Sequence, residues 1–141
     1  MSAPRITVET LVAAPVERAW AAFTTPEDIM RWNFASADWC CPAAEVDLRV
    51  GGIHKARMEA KDGSFGFDFE GVYEEVEPGR ALTLVLGDGR RARTTFAPSG
   101  EGTRVTTIFD AETQHSIEMQ RDGWQAILDN FASHAGRQAA R

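Results

Sequence analysis

The chain has 141 residues, 43% of them hydrophobic and 26% charged, the composition of a folded domain rather than a disordered segment. Its 15 basic and 21 acidic residues leave a formal charge of −6, a sign that repels phosphate backbones and argues against nucleic acid as a partner. The longest apolar run, Leu11–Val16, is far too short to span a bilayer, and the opening MSAPRITVET lacks the basic-then-apolar order of a secretion signal, so a soluble cytoplasmic protein is expected.

Arg5–Val12 alternates and is rich in Ile, Thr and Val, which predicts a strand. Pro15 opens PVERAWAAFTT, where proline suits a first helical turn and Val16, Trp20 and Phe23 recur at helical spacing. Thr25-Pro26-Glu27-Asp28 resembles a capping box that restarts a second short helix through Ile29, Met30 and Trp32. Phe34–Ala44 has no sustained period and contains Pro42, so it reads as a loop. Within it Cys40 and Cys41 are adjacent, a placement that cannot staple distant parts of a chain and lacks the partners of a zinc site. They read as thiols partly buried in that loop.

Short strands follow, each closed by a turn signal. Glu45–Arg49 ends at Gly51-Gly52, Ile53–Ala60 at Asp62-Gly63, Phe65–Val76 at Pro78-Gly79, Ala81–Leu86 at Gly87-Asp88-Gly89, and Arg91–Phe96 at Ser99-Gly100, before Thr103–Phe109. Turns this tight make neighbouring strands antiparallel. The period then changes: Ile117, Trp124, Ile127, Leu128, Phe131 and Ala135 form one stripe, predicting a long amphipathic helix from Ser116 to about Gln138. The expected class is α+β. A curved antiparallel sheet of six to seven strands surrounds a long C-terminal helix, with two short helices after the first strand. No repeat or linker interrupts residues 1–141, which read as a single domain. A curled sheet closed at one end by short helices leaves a cavity between sheet and long helix.

Four segments carry a family resemblance: VAAPVERAWAAFTTPEDIMRW, DLRVGGIHKARMEAKDGS, FEGVYEEVEPGRALT and MQRDGWQAILDNF. In this order and spacing they resemble the START-like (SRPBCC, birch-pollen-allergen-like) superfamily. Within it, the chain is similar to the bacterial family related to the C-terminal domain of the activator of heat-shock protein 90 ATPase, over about Ile6–Phe131. The resemblance implies the helix-grip fold. It does not choose a function, because the superfamily includes lipid carriers, polyketide cyclases and aromatases, hormone receptors and co-chaperone domains.

Period two puts His54, Ala56, Met58 and Ala60 on one strand face, with Phe65, Phe67 and Phe69 and then Leu82, Leu84 and Leu86 continuing it. The resemblance places this face, the middle of the last helix and the Trp32–Trp39 loop around the cavity. The implied lining is Trp32, Trp39, His54, Met58, Phe67, Phe69, Met119 and Gly123, an apolar and aromatic pocket suited to a flat hydrophobic ligand. A filled core without a cavity is the competing reading. His54, the titratable group expected inside, would orient a phenol or carbonyl, act as a general base, or simply be satisfied by a neighbour; His115 and His134 read as surface residues. The resemblance also implies a W-N-x-A-S-x-D-W run in near relatives. Here Asn33 and Asp38 are either hydrogen-bonding handles of a lid or the caps of local turns. Gly123, inside a helix, asks for either close backbone packing or room left for a ligand.

No GxSxG, GxGxxG or GxxxxGK[ST] motif occurs, and Asp68 and Glu70 fall on the outward face, where carboxylates only solubilise. The five arginines between Arg80 and Arg104 face an acid-rich stretch from Glu45 to Glu77 and read as cross-strand pairs, or else as a docking patch. The leading expectation is a module binding a small hydrophobic, aromatic or lipid-like molecule. The alternatives are a cyclase or aromatase-type enzyme, with His54 or Asp38 moving protons, and a co-chaperone-like interaction domain with a protein partner. No catalytic residue, cofactor or metal is assigned, and turnover is not the leading expectation.

Overall fold

Ile6, Val8 and Val12 point inward and Arg5, Thr7 and Glu9 outward along Arg5–Val12, strand β1 of the computed structural model. The structure describes residues 4–139, so the outermost residues of the opening stretch and of the expected 1–141 span lie outside it. After β1 come α1 (Val16–Thr24), α2 (Pro26–Trp32), β2 (Trp39–Val46), β3 (Ile53–Ala60), β4 (Gly66–Glu77), β5 (Ala81–Leu86), β6 (Arg91–Ser99), β7 (Gly102–Asp110) and α3 (Ile117–Ala139). All seven strands form one antiparallel sheet in the order β1-β7-β6-β5-β4-β3-β2. It curls as a half-barrel around the long helix, the helix-grip arrangement expected.

Tight turns need particular residues. Gly63 adopts φ 79° at the β3–β4 turn, a region closed to most side chains. At Gly102 the carbonyl of Val12 lies where a Cβ would stand, so the entry to β7 can approach the end of β1 only without a side chain.

Several expected details are corrected. The stretch from Trp39 to Ala44 is strand rather than loop: β2 forms the sheet's second edge, and a register shift between Cys40 and Ala43 absorbs Pro42. Proline is tolerated there because edge strands and bulges leave an N–H unpaired anyway. Strand β2 ends at Val46, so Asp47–Arg49 is turn. Phe65 precedes β4 and is exposed rather than inward. Thr25 caps α2 without a side-chain hydrogen bond, while Ser116 Oγ accepts the Met119 N–H at the start of α3. His134 is buried, not superficial, with Nε2 3.0 Å from Asp28 Oδ1.

The outer face carries the cross-strand ion pairs. Arg91 reaches Glu74, Arg93 reaches Glu75, and Arg104 reaches Glu9; Lys55 and Arg57 meet Asp68. Exposed pairs of this kind contribute little stability each, but they engage three arginines of the arginine-rich strands within the sheet itself. The core lies between sheet and helices. Phe23 stacks on Trp32, Phe131 meets both edge-on, and Trp32 Nε1 donates to the Ala22 carbonyl at 2.9 Å. Helix α3 makes its extensive contacts with β1, α1 and α2, and Trp124 stacks on Phe109 of β7 at 3.9 Å. The helix therefore leans to one side of the curl, away from the inner faces of β3 to β5.

Candidate functional site: a cavity between sheet and helix

That lean leaves a cavity of about 400 Å³. Its sheet wall is built by alternation: His54 and Met58 from β3, Phe67 and Phe69 from β4, Leu82, Leu84 and Leu86 from β5, Ala92 and Thr94 from β6 and Thr107 from β7. Phe23, Trp32 and Asn33 close it from the side of the short helices, and Gln120, Trp124, Ile127 and Leu128 from α3. The antiparallel order puts the β3–β4 hairpin, the β5–β6 turn and the β7–α3 loop at one end of the sheet. That end carries the cavity's apolar lip of Met58 and Phe67, and a charged lip of Arg90, Glu112 and His115.

Two polar features sit in the apolar wall. Burial pushes the His54 pKa down to about 4, so the imidazole is neutral at pH 7. Its Nδ1 lies 3.2 Å from the hydroxyl of Tyr73, itself buried and pushed up to about 12 by that burial. Phe69 meets the imidazole edge-on. On the opposite wall Thr94 and Thr107, paired across β6 and β7, hold their hydroxyls 2.8 Å apart.

The charged lip is folded by Gln120. Its Nε2 donates to the Glu112 and His115 carbonyls, at 3.1 and 2.9 Å, and its Oε1 accepts the Glu112 N–H at 2.9 Å. Glu112 in turn accepts the His115 N–H at 2.8 Å. Across the mouth, Arg90 Nε donates to Asp88 Oδ2 at 2.6 Å.

Six residues named from the sequence come together on this wall: Trp32, Asn33, His54, Met58, Phe67 and Phe69. Four do not. Asp38 is exposed and accepts the Ser36 hydroxyl at 2.5 Å, a local turn contact rather than a handle. Trp39 starts β2 opposite Ala60, with its ring against Phe65 and Phe67 beyond the lining. Met119 is 61% exposed. A Cβ on Gly123 would meet no atom within 4 Å, so neither close packing nor a place on the cavity wall accounts for that glycine. The helix face toward the cavity is Gln120, Trp124, Ile127 and Leu128. Met119 and Gly123 precede Gln120 and Trp124 by one residue each, and one residue turns a helix by about 100°. Asn33 also reaches the Cys41 thiol, whose pKa burial pushes up, keeping it protonated.

Thr94, Thr107, Arg90, Glu112 and Gln120 went unrecognised in the sequence. The threonines had a usable signal, since both fall on inward positions of their strands, and so had Gln120, one turn before Trp124 on the stripe of α3; Arg90 and Glu112 have none, because loop positions carry no period. Among the described residues no three His, Cys, Asp or Glu side chains converge as a metal site, and no helix is long and apolar enough to cross a membrane.

The family model described as Activator of Hsp90 ATPase homolog 1-like protein matches residues 13–136. Among solved structures, the chain is similar to an AHSA1-like protein from Aeromonas hydrophila, at 42% identity over 98% of this chain and 96% of that one, with a TM-score of 0.91. A protein from Cytophaga hutchinsonii is 41% identical over 97% and 95% of the two chains, with a TM-score of 0.81. One from Chromobacterium violaceum is 25% identical over 94% and 98%, with a TM-score of 0.85. No curated protein matches the chain.

Proposed function

The chain belongs to the Activator of Hsp90 ATPase homolog 1-like family, and we propose that it binds a small hydrophobic molecule, aromatic or lipid-like, in the cavity between sheet and α3. The observation that carries this reading is the cavity itself: about 400 Å³, within the range of small-molecule sites, and walled by Phe23, Trp32, Phe69, Leu84, Leu86 and Trp124. Flat rings find edge and face contacts there, and each buried CH₂ of a ligand contributes about 0.8 kcal/mol.

A cyclase-type reaction would ask His54 to take a proton. A general base works best with a pKa near the working pH, and an imidazole held near 4 is a poor one at neutrality. The cavity's chemistry thus favours holding over turnover. The interaction reading leaned on the arginine-rich strands, where Arg91, Arg93 and Arg104 are engaged by Glu74, Glu75 and Glu9.

The test is calorimetric titration with chalcones, flavonoids, fatty acids and short polyketides, for the native chain and for Ala92→Phe. Ala92 is buried on the cavity wall, so the added ring occupies ligand space. Binding by the native chain and at least tenfold weaker binding by the variant are expected. Absence of binding in every class contradicts the proposal.

A further inference from the structure

We propose that His54 serves the cavity as a fixed hydrogen-bond donor through Nε2–H, so that the pocket selects apolar molecules bearing an uncharged acceptor oxygen, such as an aryl ketone. This deepens the cavity reading above and rests on it.

The argument starts from Tyr73. Its hydroxyl is buried and needs an acceptor for its proton, and the partner it has is His54 Nδ1 at 3.2 Å. A phenol is the better donor of this pair and an imidazole nitrogen the better acceptor, so the hydroxyl donates and Nδ1 accepts. A neutral imidazole has one N–H; with Nδ1 accepting, it is on Nε2. Among the described residues Nε2 has no hydrogen-bond partner, yet no buried side-chain nitrogen or oxygen is left unsatisfied. Both hold only if Nε2 is open, and the space His54 borders is the cavity.

The surroundings decide which acceptor suits that donor. Met58, Phe69, Leu82 and Leu84 share this wall; the guanidinium that borders the cavity, Arg90, is at the lip and engaged by Asp88, so an anion placed beside His54 loses its water without a dedicated cationic partner. A neutral oxygen receives the N–H without that cost. A hydrocarbon of equal shape leaves the N–H unpaired when it displaces water. The threonine pair adds a second donor: one hydroxyl donates to the other, and one proton remains for the cavity.

Two measurements test this. The ¹⁵N shifts of the His54 ring in the free protein report the tautomer without any ligand. The Nε2–H form is expected, moving toward a mixture in Tyr73→Phe; the Nδ1–H form in the native chain overturns the assignment. The second measurement compares 2-acetylnaphthalene with 2-isopropenylnaphthalene, which differ only in O against CH₂. The ketone is expected to bind at least about fivefold tighter, with the preference lost in His54→Phe. Equal affinities overturn the donor role while leaving the cavity reading intact. Binding of neither probe overturns both. If His54→Phe does not fold, the native tautomer and the native affinity ratio decide the matter.

Discussion

The side-chain amide of Gln125 pairs with the main chain of Glu9 as a further strand would: Nε2 donates to the Glu9 carbonyl at 2.9 Å, and Oε1 accepts the Glu9 N–H at 3.3 Å. Helix α3 is thereby stitched to the free edge of β1, which holds it to one side of the curl and away from the inner faces that line the cavity. The contact also blunts an edge that would otherwise offer unpaired N–H and C=O groups to another chain.

Gln125→Leu removes both bonds and uncovers that edge. We expect a loss of about 1 kcal/mol in denaturant unfolding, together with concentration-dependent association on size-exclusion chromatography. A variant that remains as stable and as dispersed as the native chain would show that packing alone seats the helix.

The buried histidine predicts a pH dependence. In the unfolded chain His54 titrates near 6.5; in the fold burial holds it at about 4. Between those values the unfolded state takes up a proton that the folded state refuses. Stability present above pH 6.5 is therefore lost as pH falls toward 4, by on the order of 3 kcal/mol, and the loss levels off below. Glu74 and Glu75, held below the usual carboxylate range by hydrogen bonds from Arg91 and Arg93, lose their contribution at lower pH. Urea midpoints between pH 7.5 and 5 should fall in the native chain and flatten in His54→Phe. A flat native profile contradicts a neutral, desolvated imidazole.

Gly123→Ala is expected to stabilise the chain by about 1 kcal/mol, the helix propensity that glycine gives up. Nothing stands within 4 Å of the new Cβ and the position is off the cavity wall, so ligand affinity should stay unchanged. A melting curve and one titration check both halves; destabilisation would reveal a close neighbour.

His134→Ala should cost about 1–3 kcal/mol. The imidazole is 7% exposed and hydrogen-bonded to Asp28 across the α2–α3 contact, where Asn130 Nδ2 also donates to the Trp32 carbonyl at 3.0 Å. Chemical denaturation at pH 7 measures it, and a cost below 0.5 kcal/mol would contradict a stitching role for the pair.

How much of this was legible in the sequence differs by element. Strands with clean alternation, such as Arg5–Val12 and Ile53–Ala60, and the stripe Trp124, Ile127, Leu128, Phe131 were readable because one buried face writes a period. Trp39–Val46 was not: its register shifts at Pro42, and a bulge destroys the alternation by which a strand is recognised. The cavity wall was readable where it is strand, at His54, Met58, Phe67 and Phe69. On the helix, the stripe already holds Trp124, Ile127 and Leu128, whereas Met119 and Gly123, the lining residues that the resemblance implies, each precede a cavity-facing residue, Gln120 or Trp124, by one position. Arg90 and Glu112 border the same mouth only because two connections share one end of the sheet. His134 was misplaced because a stripe says which face is buried but not how far the neighbouring helix α2 extends over its margin.

The most direct test of the central claim is a methyl-labelled NMR titration of the native chain with 2-acetylnaphthalene. The cavity reading predicts saturable shifts at Met58, Leu82, Leu84, Leu86 and Leu128, with Val50, Ile53 and Met119 unmoved on the exterior. Shifts confined to those exterior methyls, or none at ligand saturation, would contradict it.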